Sequence, residues 1–140
     1  MALSVAEREA FLAGPHIAVL AVDAGDGRGP LTVPVWYHYA PGGMLEFLTD
    51  GDSRKAQLVR KAGRFSVLVQ RTSPTYRYVS VEGAVVASGP TTTAQLTRIS
   101  ARYLPPDAVA GYVHGSDLQA LVTFAMRPQR WLSADLGALG

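Results

Sequence analysis

Six runs of this chain read as β-strands, and most of the connections between them are too short to carry a parallel crossover. The runs are "HIAVLAVD" (16–23), "LTVPVWYHYA" (31–40), "MLEFLTD" (44–50), "RFSVLVQR" (64–71), "TYRYVSVEGAVVAS" (75–88) and "LQALVTFAM" (118–126). Parallel neighbours need a dozen or more intervening residues, whereas antiparallel ones can follow each other through a tight turn. Glycine and proline mark such turns at 24–30 and 41–43. A βαβ sheet is therefore excluded. The expectation is a mainly β chain, a six-stranded antiparallel β-barrel with short peripheral helices.

Three helices fit between the strands. Ser4 with Glu7 three residues later forms a capping box opening a helix over about 4–13. Ser53 opens a second over 53–62, stopped near Gly63. A threonine cap and the spacing of Leu96, Ile99 and Tyr103 predict a third within 91–104, ended by Pro105 and Pro106. The stretch 105–117 reads mostly as loop or a helical turn, and 130–136 as a semi-extended tail. Pro34 lies inside the second strand and lacks an N–H, so it marks an edge or a bulge.

Composition narrows the function. At 140 residues, 48% hydrophobic and 17% charged, the chain is expected to form a single domain, residues 1–140, with a real core. A formal charge of +2 is too small and scattered for a nucleic-acid partner. There is no cysteine, which removes disulfides and thiolate metal sites. The N-terminus lacks the order of a signal peptide and no run reaches membrane-span length, so a cytoplasmic protein with no membrane partner is expected. His16, His38 and His114 have no metal-ligand spacing, so no metal is expected. "GDGRG" joins two strands and opens no helix, so it reads as a hairpin turn and not as a nucleotide loop. No nucleophile elbow or acid pair appears, and no catalytic residue is assigned.

One segment stands apart. "TDGDSRK" (49–55) puts two cations, Arg54 and Lys55, at a helix start, where the dipole disfavours them. Two readings follow. Either Asp50 and Asp52 neutralise a solvated first turn, or the Ser53 hydroxyl, the free N–H groups and the two cations receive an anion such as a phosphate. Trp36, Tyr37 and Tyr39 could form a flat shelf for a ring attached to that phosphate, or could fill the core or a subunit interface.

The order of segments carries a resemblance. "P-V-W-Y" on the second strand, "T-D-x-x-S-R-K" before a short helix and "R-F-S-V-L-V" after it come first. "Y-V-S-V-E-G" on the fifth strand and a late "R-P-x-R-W" complete the set. Together, over about 8–136, they resemble the pyridoxamine 5′-phosphate oxidase-like split-barrel family, and within it the short flavin/deazaflavin oxidoreductases. The resemblance implies an oxidoreductase that uses coenzyme F-420 (8-hydroxy-5-deazaflavin) or flavin mononucleotide (FMN), transferring hydride to or from a conjugated small molecule. The alternatives are a non-catalytic flavin/deazaflavin-binding or carrier protein, or a pyridoxamine-phosphate-oxidase-like enzyme using FMN. It implies a phosphate site at Ser53, Arg54 and Lys55, led into by Thr49 and Asp50. Pro34, Val35 and Trp36 would lie along the ring, flanked by Gln70 and Tyr78. A homodimer would bring Arg130 and Trp131 to the ring from the other subunit. The extra basic positions that hold a vitamin substrate's phosphate have no Arg-x-His counterpart here, which argues against that substrate.

Overall fold

The computed structural model describes residues 1–140. Every strand pairing is antiparallel, as the short connections require. In chain order the strands are β1 (Ala18–Val22), β2 (Leu31–Val35), β3 (Tyr37–His38), β4 (Leu45–Asp50), β5 (Arg64–Arg71), β6 (Arg77–Pro90), β7 (Leu121–Met126) and β8 (Arg130–Asp135). The helices are α1 (Val5–Leu12), α2 (Arg54–Ala62), α3 (Thr93–Ser100) and α4 (Pro106–His114). The strands run β2-β1-β5-β6-β7-β4-β3, with β8 beside β6. The result is a curled antiparallel half-barrel.

Three details differ from expectation. Eight strands form and not six, first because the run 31–40 breaks at Trp36. Val35 pairs with Ala18 of β1 while Tyr37 pairs with Phe47 of β4, so the chain changes ladders there. Second, the tail at 130–136 is a true strand, β8, in register with β6 from Glu82↔Arg130 to Arg77↔Asp135. Asp135 anchors it, accepting from the Thr75 hydroxyl at 2.6 Å, the Gly137 N–H at 2.9 Å and Arg77 Nε at 2.9 Å. Those donors hold its carboxyl down at about 2. Third, 106–114 is a helix with Pro106 in its first turn, a position where the missing N–H costs nothing. It buries no residue, so its apolar periodicity is weak in the sequence.

Alternation along the strands sets the core. Leu20, Val67, Val69, Val79 and Val81 point inward from one set of ladders, and Leu45, Phe47, Phe124 and Met126 from the other. Phe47 joins the two sets, edge-on to Phe65 at 5.0 Å and stacked with Phe124 at 5.5 Å. Each such burial contributes about 1.5–3 kcal/mol. The capping box at Ser4–Glu7 and the threonine cap of the third helix form as the sequence predicts, and Gln95 completes a second capping box with Thr92. No helix is long and apolar enough to cross a membrane.

β6 bends where it leaves β5 for β7, at a register shift between Val85 and Ala87. Just before the bend, Gly83 lies against the β7–β8 connection. A Cβ there would sit 1.8 Å from the Arg127 carbonyl oxygen. Gly83→Ala should therefore destabilise the fold by about 1–3 kcal/mol or more, the scale of overpacking against backbone. Gly89→Ala, on the same strand, adds a methyl that meets nothing within 4 Å. Denaturant midpoints of the two variants check this, and an undisturbed midpoint in Gly83→Ala would contradict the packing described.

Candidate functional site

Strand β4 ends at Asp50, and a tight turn passes the chain into α2. Asp50 organises that turn: its carboxylate accepts from the Asp52 N–H at 2.9 Å and its carbonyl from the Ser53 N–H at 3.0 Å. Gly51 is held from both sides, its N–H donating to the Ala120 carbonyl and its own carbonyl accepting from Arg60 Nη1, each at 2.8 Å. Ser53 caps the helix, its Oγ accepting from the Ala56 N–H at 3.2 Å. The buried Thr49 hydroxyl lies 3.2 Å from the same oxygen.

The carboxylates of the turn form no ion pair with the two cations. No carboxylate lies within 4.0 Å of Arg54 or Lys55, because all six ion pairs of the protein involve other residues. The Asp50 carboxylate is engaged with backbone. The N–H groups of Arg54 and Lys55 also have no partner in the protein. Two cations without an ion-pair partner and two N–H groups without a hydrogen-bond partner therefore occupy the positive end of a single helix, which the Ser53 hydroxyl caps.

Next to them is an apolar hollow. Lys55 lines one cavity of about 190 Å³ with Pro34, Val35 and Trp36, so four of the predicted residues meet in space. Leu48 of β4, Leu96 and Ile99 of α3, and Tyr112 of α4 complete it. Sequence reasoning missed these four. The helical spacing of Leu96 and Ile99 was visible as a core signal, but Tyr112 falls in the stretch read as loop. Behind Trp36 the Tyr103 ring stacks at 4.9 Å and 16°, and Tyr112 approaches at 5.8 Å and 42°.

The other two aromatics of the second strand belong to the core. Tyr37 is fully buried and its hydroxyl donates toward the carbonyls at the end of α1. Tyr39 donates to Glu9 Oε1 at 3.0 Å, and burial pushes its phenol up to about 12. Of the three, Trp36 alone lines the cavity.

Four predicted residues lie elsewhere in the chain. Gln70 and Tyr78 face each other across β5 and β6, and Gln70 accepts from the Tyr76 hydroxyl at 3.0 Å. Arg130 is exposed beside Arg64, Glu82 and Gln129. Trp131 is half-buried under the Arg8 guanidinium, 4.6 Å from the ring centroid, and edge-on to Tyr39 at 6.1 Å. A larger groove of about 660 Å³ lies between α3 and α4, lined by Thr93, Val109, Val113, His114 and Leu118 among others, and it holds no lysine or arginine.

The half-barrel has close structural likenesses. An F-420 reductase superposes with a TM-score of 0.73 at 23% identity, over 89% of this chain and 94% of that one. A conserved hypothetical protein of Mycobacterium tuberculosis gives 0.74 at 26% identity, over 95% and 85%. A protein of Listeria innocua provisionally named a pyridoxamine 5′-phosphate oxidase gives 0.68 at 17%, over 96% and 98%. The fold is the pyridoxamine 5′-phosphate oxidase-like split barrel. No sequence-family model matches the chain, and no curated protein matches it in sequence.

In this split barrel no three His, Asp or Glu side chains gather as metal ligands. The histidines are structural or exposed. His16 Nε2 lies 2.8 Å from the Phe11 carbonyl, and burial lowers the pKa of its ring despite that bond. His38 lies 3.8 Å from Glu46 and is lowered by burial and then by Arg98 and Arg102. An unfolded imidazole takes up its proton near 6.5, before either folded ring does. Proton uptake then favours the unfolded chain, so these two groups cost no stability above about pH 6.5 and an increasing amount as pH falls below it. The thermal midpoint should drop across that window, and His16→Gln should flatten the drop. A midpoint independent of pH between about 7 and 5 would contradict the account.

Proposed function

We propose that this split barrel is an oxidoreductase that binds a flavin-type cofactor, coenzyme F-420 by preference or FMN in its place. One observation carries the reading. Lys55, a cation with no counter-ion at a helix start, lines the same apolar cavity as Pro34, Val35 and Trp36. A ligand that fits must join an anionic group to a flat ring, which is the chemistry of both cofactors.

The chain's residues divide the work. Ser53, Arg54, Lys55 and the free N–H groups at the head of α2 hold the phosphate, with Thr49 and Asp50 shaping the approach. Pro34, Val35 and Trp36 form one wall for the ring, and Leu48, Leu96 and Ile99 exclude water behind it. The bound cofactor would supply hydride transfer to or from a conjugated small molecule. The similarity to an F-420 reductase supports the deazaflavin over FMN. No side chain of the cavity is assigned as a proton donor.

A homodimer belongs to the same proposal. At about 190 Å³ the cavity is smaller than the roughly 300–1,000 Å³ of small-molecule sites, so a second surface has to close it. The outer face of the sheet supplies continuity. Pro34, Val19, Leu68, Ser80 and Leu132 form one row across β2, β1, β5, β6 and β8, with Leu132 64% exposed. That largely apolar row runs directly into the cavity through Pro34. Gln70, Tyr78 and Arg130 lie on the same face, and Arg130 is assigned to the neighbouring copy's cavity. Trp131 instead pairs with buried Val81 and packs on the core side, which sets it apart from this interface.

Titration of purified protein with each cofactor, followed by absorbance and fluorescence, tests the reading. Lys55→Ala should weaken binding by about 1.5–3 kcal/mol, roughly ten- to over a hundredfold, with the fold intact. The affinity should fall as salt rises. Unchanged affinity for both cofactors in Lys55→Ala and Arg54→Ala, or no binding to the parent protein, would overturn the assignment. Sedimentation at micromolar concentration should show a dimer, and Leu132→Glu should shift it toward monomer. A parent protein that stays monomeric there would remove the shared-site arrangement.

A further inference from the structure

Trp36 sits at the corner where the chain leaves one pair of ladders for another. Val35 belongs to the β1 ladder and Tyr37 to the β4 ladder, so backbone groups at the corner need partners outside both. A single side chain provides them. Tyr103, in the turn after α3, accepts from the Tyr37 N–H at 3.2 Å and donates to the His16 carbonyl at 2.7 Å. The Tyr37 carbonyl lies 3.3 Å from the same oxygen. A phenol has one hydrogen, so the shorter contact to His16 is the donor bond and the longer one is at most shared.

The ring of that same residue faces the cavity wall. It stacks on the Trp36 indole at 4.9 Å and 16°, an offset arrangement that fixes the plane of both rings. Arg102 braces it, donating to the Gly14 carbonyl at 2.7 Å with its guanidinium 6.0 Å from the Tyr103 ring. The aromatic on the other side of Trp36 has no such support. Tyr112 is 43% exposed on α4, a helix with no buried residue, no side-chain cap and Gly111 beside the tyrosine. Tyr112 can therefore adapt to a ligand but cannot set the plane of the indole.

We infer that Tyr103 is a positioning residue of the cavity: its hydroxyl pins the β2–β3 corner, and its ring sets the orientation in which Trp36 meets a ligand's ring. The inference rests on the proposed use of the cavity for a ring-bearing cofactor, yet its first readout needs no cofactor. The chain has two tryptophans, so Trp131→Phe leaves Trp36 as the one reporter. In that background, Tyr103→Leu should keep the far-ultraviolet dichroism, weaken the near-ultraviolet band of Trp36 and raise its quenching by acrylamide. Tyr103→Phe, which keeps the stack, should restore the band while the Tyr37 N–H exchanges faster.

In protein with Trp131 intact, Tyr103→Leu should weaken binding of FMN and of coenzyme F-420 about three- to tenfold, and Tyr103→Phe should recover most of that loss. A folded Tyr103→Leu protein whose Trp36 band and quenching match the parent would overturn the inference. If Tyr103→Leu does not fold, Tyr103→Phe decides: faster exchange with the band retained supports the role, and unchanged exchange refutes it. A parent protein that binds neither cofactor, with Trp36 still released by Tyr103→Leu, would sink the cofactor reading and leave the positioning role standing.

Discussion

The antiparallel pairing of β6 is the constraint on which the rest depends. Its 14 residues lie in three ladders at once, with β5 and β8 along the first part and β7 along the second. A strand can do this only by bending, and the bend requires both the register shift at Val85–Ala87 and a residue without a side chain at Gly83. Once β6 is bent, β4 and β7 are carried over one end of the core and β1 and β5 over the other. The chain also crosses between the two sets through α2, between β7 and β8, and within the run 31–40, where it does so at Trp36. The cavity beside Trp36 is thus a product of the topology, opened where a strand changes partners.

Electrostatics at the head of α2 follows from a different economy. A helix start with no acidic residue in its first turn and two cations is locally unfavourable. Asp50 is used to shape the turn, and neither it nor Asp52 forms an ion pair with Arg54 or Lys55. Local rules broken without local compensation are the pattern expected at sites that meet a ligand, because selection there acts on binding and not on the stability of the free protein. The apolar cavity adjoining Lys55 gives that departure a direction.

Much of this was legible in the sequence, for identifiable reasons. The Ser4–Glu7 capping box, the threonine cap of the third helix, the Ser53 cap and the Gly63 stop are local, and each formed where residue types indicated. Antiparallel pairing followed from connection length, which no tertiary effect can lengthen. What escaped notice depended on contacts between distant segments. β8 is a strand because β6 offers it an edge and Asp135 a clasp, and neither shows in "RWLSADL". The break at Trp36 comes from two ladders competing for one run. Tyr37 and Tyr39 read as a possible shelf because alternation shows which residues share a face but not which face is inward. Tyr112 was hidden because α4 buries nothing and so carries little periodicity. Among the predicted contacts, the gathering of Pro34, Val35, Trp36 and Lys55 drew on the order of segments, which is information that spacing alone does not contain.

The free edges of the sheet have a consequence for how such a chain behaves when crowded. Exposed strand edges are templates on which further chains can add and grow into aggregates. Three of the edges here are blunted, each in its own way. β2 carries Pro34, which offers no N–H to an incoming strand. β3 is only two residues long, too short to template a ladder. The outer side of β8 is already occupied by the first residues of the chain, through the Asp135 N–H to the Met1 carbonyl at 2.9 Å and the Leu3 N–H to Ser133 Oγ at 3.4 Å. Strand addition is thus opposed at these three places, while the second half of β6, paired with β7 on one side only and exposed at 86–88, is the edge left open to an incoming strand.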